Sequence, residues 1–161
     1  RAGYLGYCAG ADDCFLTLRG LRTLDVRMQR HQETGLKLAD WFQERPEVKR
    51  VLHPALPGDP GHAIWKRDFS GASGLFGVVL GEYPQENVEA MLDGMEFFAM
   101  GFSWGGFESL MIQTNPATLR KASPWEEPGV CLRVHAGQED PEDLIDDLTR
   151  GFERLGSGQR S

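Results

Sequence analysis

The chain has 161 residues, 40% of them hydrophobic and 25% charged, with a formal net charge of −7. That length fits one domain, or one domain plus a connecting segment, and suffices to bury a sizeable core. The acidic balance, with no long run of Lys or Arg, argues against a nucleic-acid partner, because affinity for a nucleic-acid backbone rests on neutralising phosphates; no apolar run approaches the ~20 residues of a membrane span, so no membrane partner is expected either.

Residues 11 to 45 carry a helical pattern. Leu21, Leu24, Met28, Leu38 and Phe42 recur at three- and four-residue steps or multiples of them, with Arg22, Arg27, Arg30, Lys37 and Asp40 elsewhere on the surface. Gly20 is expected to interrupt the run and Pro46 to end it. A helix of this length exceeds the average for a globular domain and suits a connector between two domains.

From Val48 the texture changes. Val48-Lys49-Arg50-Val51-Leu52 reads as a short strand that enters His53 to Gly61, a stretch made almost entirely of turn chemistry. Residues 62 to 68 read as a short helix, Leu75 to Leu80 as a buried strand and Glu86 to Leu92 as a helix. A strand near Glu96 to Met100 is expected to lead into the tight turn Ser103-Trp104-Gly105-Gly106. Val130 to His135 alternates, with Val130, Leu132 and Val134 facing one way and Cys131, Arg133 and His135 the other.

The last helix carries the clearest signals. Asp140 can cap it, Pro141 fits its first position, and Glu142 and Asp143 suit the positive end of the dipole. Leu144, Leu148, Phe152 and Leu155 then line one face, and Gly156 to Ser161 reads as a frayed tail. Strands and helices without a regular βαβ rhythm give an α+β fold, with helices on one face of a small sheet. Three cysteines, Cys8, Cys14 and Cys131, form an odd set without a CxxC pair, which fits a reduced cytoplasmic protein better than a disulfide framework. The chain opens at Arg1 with no initiator Met, so any targeting segment is expected to have been lost from it.

Arg133 is the foremost candidate for chemistry. A guanidinium binds a carboxylate through two parallel hydrogen bonds, which supplies geometry as well as energy; a surface ion pair is the commoner use of such a residue on spacing alone. Ser103 begins a turn whose two glycines let backbone approach a ligand closely, although turn serines more often bond the local backbone. Trp104 is a core or interface side chain by habit, and in a cleft it would wall off a substrate.

Weaker candidates follow. His53 and His62 flank a Pro/Gly loop without the Cys or acidic partners of a zinc site. His135 shares a strand face with Arg133 and is placed to orient it, or is a satisfied structural histidine. Glu139 and Asp140 read as helix-capping groups. Cys131 has no base set to activate it. Ser70-Gly71-Ala72-Ser73-Gly74 has neither of the glycine spacings that cradle phosphate.

Together these segments acquire a likeness. Thr17 to Leu24 (Thr-Leu-Arg-Gly-Leu-Arg-Thr-Leu), Val51 to Pro57 (Val-Leu-His-Pro-Ala-Leu-Pro), Ser73 to Phe76, Ser103 to Leu110 (Ser-Trp-Gly-Gly-Phe-Glu-Ser-Leu) and Leu132 to Asp140 (Leu-Arg-Val-His-Ala-Gly-Gln-Glu-Asp) stand in the order found in Cys/Met-metabolism enzymes that use pyridoxal phosphate. The chain resembles the C-terminal portion of that family from about Ala9 to Leu155, and Trp104 favours its β-lyase branch. The resemblance implies a fold-type-I enzyme, of which this would be the small C-terminal α+β domain preceded by a long connecting helix. Residues 1–45 would be a helical connector from the large cofactor domain, 46–156 the small domain and 157–161 a flexible tail.

The same resemblance implies that Arg133 binds the α-carboxylate of an amino-acid substrate and that Ser103 and Trp104 line the same pocket. Pyridoxal 5′-phosphate would be bound mainly by a missing N-terminal part. None of the four lysines, Lys37, Lys49, Lys66 and Lys121, lies in the family's Ser/Thr-rich context for the Schiff-base lysine, so the fragment alone is expected to be inactive. The intact protein would convert cystathionine and water to homocysteine, pyruvate and ammonia, a step of methionine biosynthesis, as a cytoplasmic homotetramer. A γ-lyase, γ-synthase or sulfhydrylase of the same family is the near alternative. A non-catalytic module for small carboxylates or for assembly is the distant one.

Overall fold

Four short strands carry the alternating apolar residues, and three helices cover one face of the sheet they form. The structure is a computed structural model that describes residue 6 and residues 8–157. In chain order the elements are α1 (Ala11–Leu21), α2 (Leu24–Gln43), β1 (Val48–Leu52), α3 (His62–Asp68), β2 (Leu75–Leu80), α4 (Gln85–Asp93), β3 (Leu110–Thr114), α5 (Pro116–Leu119), β4 (Cys131–His135) and α6 (Pro141–Ser157). The sheet order is β1-β2-β4-β3, with every neighbouring pair antiparallel.

Strand alternation decides what faces the helices. Phe76, Val78 and Leu80 of β2, Leu132 and Val134 of β4 and Met111 of β3 share one core with α2, α4 and α6. The helices contribute Leu38 and Phe42, Val88 and Met91, and Leu144, Leu148, Phe152 and Leu155. Each such side chain, when fully buried, stabilises the fold by about 1.5–3 kcal/mol. The fold is therefore the α+β arrangement expected, with helices on one face of a small sheet.

Local signals place most elements. β1, α3 and β2 occupy the expected residues, and α4 is one residue longer at each end. The Asp140 carboxylate accepts the Glu142 N–H at 2.9 Å and so caps α6. That helix runs on through Gly156 and Ser157, which were expected in the frayed tail; the remainder of the tail, like residues 1–5 and 7 of the expected connector, lies outside the described residues.

Three features differ from expectation. The helical run breaks at Arg22 and Thr23, while Gly20 stays inside α1. The Gly20 carbonyl is the reason, because it accepts from Thr23 N–H at 3.2 Å and from the Arg27 guanidinium at 2.7 Å across the break. Glu96 to Met100 is no strand, since Asp147 takes the N–H groups of Glu96, Phe97 and Phe98 that a ladder would use. Only Ala99 makes a bridge there, to Leu110. Conversely, β3 and α5 stand where the sequence announced nothing. β3 is five residues long, its alternation ends in Gln113 and Thr114, and its partner β4 lies far along the chain.

The apolar stripe of the long helical segment is only half covered. α1 buries no residue, and along α2 burial begins at His31. Phe15, Leu18, Leu21, Leu24, Val26 and Met28 all remain exposed.

Candidate functional site

β4 lies between β2 and β3, so a side chain on its face away from the helix core meets neighbours from both. Arg133 stands opposite Gly77 of β2 and Ile112 of β3. Gly77 in turn pairs with Leu52, and a methyl added at Gly77 would press on Leu52 Cδ1 at 3.0 Å. The residue that carries charge in this row is Arg133. It is half-buried, and its Nη2 donates to the carbonyls of Gly101 at 2.8 Å and Ser103 at 3.1 Å. Nε and Nη1 make no hydrogen bond to the described residues. They are donors only, so a carboxylate is a natural ligand for them.

The turn above Arg133 is held at both ends. Gly105 has φ +85°, a left-handed conformation that favours glycine. Its N–H lies 3.1 Å from Nε2 of His135, and the Gly106 carbonyl lies 3.2 Å from the same nitrogen. The His135 ring is buried. Burial pushes it below the usual histidine range; His31 and Arg133 add to this, against the Gly106 carbonyl and Glu139. Farther on, the Ser109 N–H and hydroxyl donate to the two oxygens of Glu139 at 2.7 and 2.8 Å, and the same hydroxyl accepts the Gly137 N–H at 2.8 Å. A side chain at Gly137 would collide with the Phe107 carbonyl and the Glu139 carboxylate. Glu139 thus clamps the turn's exit and is not a helix cap; Asp140 alone does the capping.

The sequence candidates meet different fates. Arg133 and Ser103 are in direct contact, through the Ser103 carbonyl; the Ser103 hydroxyl makes no hydrogen bond among the described residues. Trp104 is 61% exposed, and Met100, Phe102 and Phe107 of the same segment are exposed as well. His53 and His62 do not converge: His53 Nδ1 accepts the Ala55 N–H at 3.2 Å, and His62 Nδ1 lies 3.0 Å from the Pro54 carbonyl. Burial, and secondarily Glu127, push the Cys131 thiol up, away from reactivity. Sequence reasoning missed Asp147, the Ser109–Glu139 clamp and His31, all of which act between distant segments.

These residues suit a carboxylate and do not suit pyridoxal phosphate itself, which needs an amine for its aldehyde and convergent donors for its phosphate. Lys37 pairs with Glu142, and Lys49 donates to the Pro128 carbonyl. In the glycine-rich segment the Ala72 N–H donates to Gln32 Oε1 at 2.7 Å and the Leu75 N–H to Ser73 Oγ at 3.3 Å. These amides are spent within the chain. That segment instead borders a groove of about 1000 Å³ together with Met28 of α2 and Ile64 and Trp65 of α3.

A family model described as Cys/Met metabolism PLP-dependent enzyme matches residues 2–153. The cystathionine beta-lyase of Salmonella typhimurium is 49% identical over 159 residues, which cover 96% of this chain and 40% of that protein. The L-alanine/L-glutamate racemase of Wolbachia pipientis is 43% identical, over 93% of this chain and 38% of its own length. The crystal structure of cystathionine gamma synthase from Xanthomonas oryzae pv. oryzae, in complex with aminoacrylate and cysteine, matches with a TM-score of 0.81 at 35% identity, covering 96% of this chain and 41% of that one. The chain spans about 40% of the length of the curated relatives it matches.

Proposed function

Since the chain belongs to the Cys/Met metabolism PLP-dependent enzyme family, we propose that it is the carboxylate-reading part of a carbon–sulfur lyase that cleaves cystathionine by β-elimination. The observation that carries this reading is the half-satisfied guanidinium of Arg133, held by two turn carbonyls while Nε and Nη1 bond no other described residue, in a segment that exposes Phe102, Trp104 and Phe107. Pyridoxal phosphate would be held by the rest of the protein and would supply an electron sink for the substrate's Cα.

The part played by this chain is binding and orientation. Arg133 holds the α-carboxylate, which leaves rotation about a single axis to place the Cα–H bond toward a base outside this chain. The Ser103 hydroxyl and Trp104 line the same pocket, the tryptophan excluding water from the reacting centre. No lysine of this chain takes part, and the isolated chain is inactive. Cleavage consumes cystathionine and water and yields homocysteine, pyruvate and ammonia. α1 and the exposed half of α2 serve as the connector, their apolar stripe buried by the rest of the protein and its neighbours in a homotetramer.

Likeness to a γ-synthase and to a racemase supports a second reading, in which the same carboxylate grip serves another reaction of the family. Product analysis on the full-length protein of the same gene separates them. Pyruvate released from cystathionine supports β-elimination, 2-oxobutyrate marks γ-elimination, and loss of optical purity in alanine or glutamate marks racemisation. A full-length protein that binds small carboxylates and turns over none of these would be a binding module.

A further inference from the structure

Arg133 and His135 stand two residues apart on β4, so their side chains leave the same face of the sheet. Each secures one half of a single turn. Arg133 Nη2 takes the Gly101 and Ser103 carbonyls, while His135 Nε2 faces the Gly105 N–H at 3.1 Å and the Gly106 carbonyl at 3.2 Å. The Gly106 carbonyl can only accept and is served by the tautomer with its proton on Nε2; the Gly105 amide can only donate and is served by the tautomer with its proton on Nδ1. We propose that His135 is a positioning residue which, in the latter tautomer, pins Gly105 and thereby sets the Ser103 carbonyl where it orients Arg133 toward a carboxylate. The proposal rests on the reading of Arg133 as the carboxylate ligand.

His31, on α2, lies beside this arrangement. Its Nδ1 lies 2.8 Å from the Ala136 carbonyl, an acceptor, so His31 donates from Nδ1 there. His31 Nε2 and His135 Nδ1 are both buried without a partner among the described residues. The two rings stand 5.2 Å apart, inclined at 43°. The two atoms do not bond one another, so the hydrogen bonds of the His135 ring are those at the turn. Adding a proton to His135 removes the lone pair used by Gly105 and directs Nε2 to the Gly106 carbonyl instead. The groups facing the ring are His31 from α2, Arg133 from β4, Glu139 ahead of α6 and the Gly106 carbonyl; Glu139 is already committed to Ser109.

The test uses the full-length protein with its cofactor. His135→Leu is expected to raise KM for the substrate about tenfold, the worth of one hydrogen bond, while kcat stays within about twofold. In the same variant the peptide covering residues 101–109 exchanges its amide hydrogens about tenfold faster. His135→Gln, whose side-chain oxygen can accept the Gly105 N–H, restores both. A His135→Leu protein with unchanged KM and unchanged exchange overturns the proposal, as does a His135→Gln protein no better than His135→Leu. Should His135→Leu not fold, the unmutated protein decides: protection of residues 101–109 must fall as the pH drops below about 6.5, and protection that stays constant until the whole fold is lost overturns the proposal. Arg133→Lys is measured alongside. If it leaves KM unmoved, the carboxylate reading itself fails; if it raises KM while His135→Leu does not, only the role of His135 fails.

Discussion

The Asp147 carboxylate, fully buried on α6, accepts the Phe97 N–H at 2.8 Å, and the neighbouring amides of Glu96 and Phe98 converge on the same group. A helix on the core side of the sheet thereby fixes the segment that launches the turn over Arg133. Asp147→Ala leaves these amides without their acceptor inside the fold. The expected loss of stability is about 2–4 kcal/mol, read as a lower urea midpoint at unchanged m. Asp147→Asn keeps one acceptor oxygen and should lose roughly half as much. Equal stability of Asp147→Ala and the parent would show that solvent replaces the carboxylate without cost.

That carboxylate also marks where the sequence stops being readable. The alternation of β4 and the caps of α6 are local, and they placed Arg133 and Asp140 correctly because each signal is complete within a few residues. Asp147 looks like one more charge on an acidic helix until the fold brings residues 96–98 against it. Glu139 likewise resembles a capping group beside Asp140, and only the approach of Ser109 gives it another partner. β3 escaped notice because its pairing with β4 supplies what its own short pattern lacks. The resemblance carried the remainder: nothing in spacing alone would have chosen a carboxylate over an ion pair as the partner of Arg133.

Arg133→Lys tests that choice most directly. The guanidinium serves two turn carbonyls through Nη2 and still presents other donors in its plane. A lysine ammonium is a single point and cannot hold the turn and a substrate carboxylate together. In the full-length enzyme KM should rise roughly ten- to a hundredfold, the range for a hydrogen bond to a charged group, with a smaller change in kcat. Steady-state kinetics of pyruvate release from cystathionine, the activity proposed above, measure both, and an unchanged KM removes Arg133 from the proposed substrate site.

Acid should weaken the fold through two histidines. Burial pushes both His53 and His135 below the ordinary histidine range, with Asp59 opposing at His53. On unfolding, both return to about 6.5. Below that value the unfolded chain binds more protons than the folded one, so stability falls as pH drops from about 6.5 and is insensitive to these groups above it. While both differ, the slope reaches up to about 2.7 kcal/mol per pH unit. Urea titrations at successive pH values give the slope, and His53→Gln should remove about half of it. Stability that does not change from about pH 7.5 to 5.5 would mean that both rings can be protonated inside the fold.

The last prediction concerns the isolated chain. Phe15, Leu18 and Leu21 lie at three- and four-residue steps or multiples of them along α1, and all are more than half exposed, as is Val26 on α2. Each carries enough apolar surface to contribute about 1.5–3 kcal/mol if it found a partner, and a helix of 11 residues with no buried side chain has little else to keep it folded. The chain by itself should therefore self-associate through this stripe. Sedimentation velocity should show oligomers whose population rises with concentration. Phe15→Glu combined with Leu18→Glu should return the chain to a monomer and lower its helical signal, since α1 would lose its only apolar partner. The core of α2, α4 and α6 shares no residue with the stripe, so its unfolding midpoint should shift by less than about 0.5 kcal/mol equivalent. A parent chain that is monomeric at every concentration would mean that α1 folds back on itself in solution, and then the double substitution should leave the sedimentation coefficient unchanged.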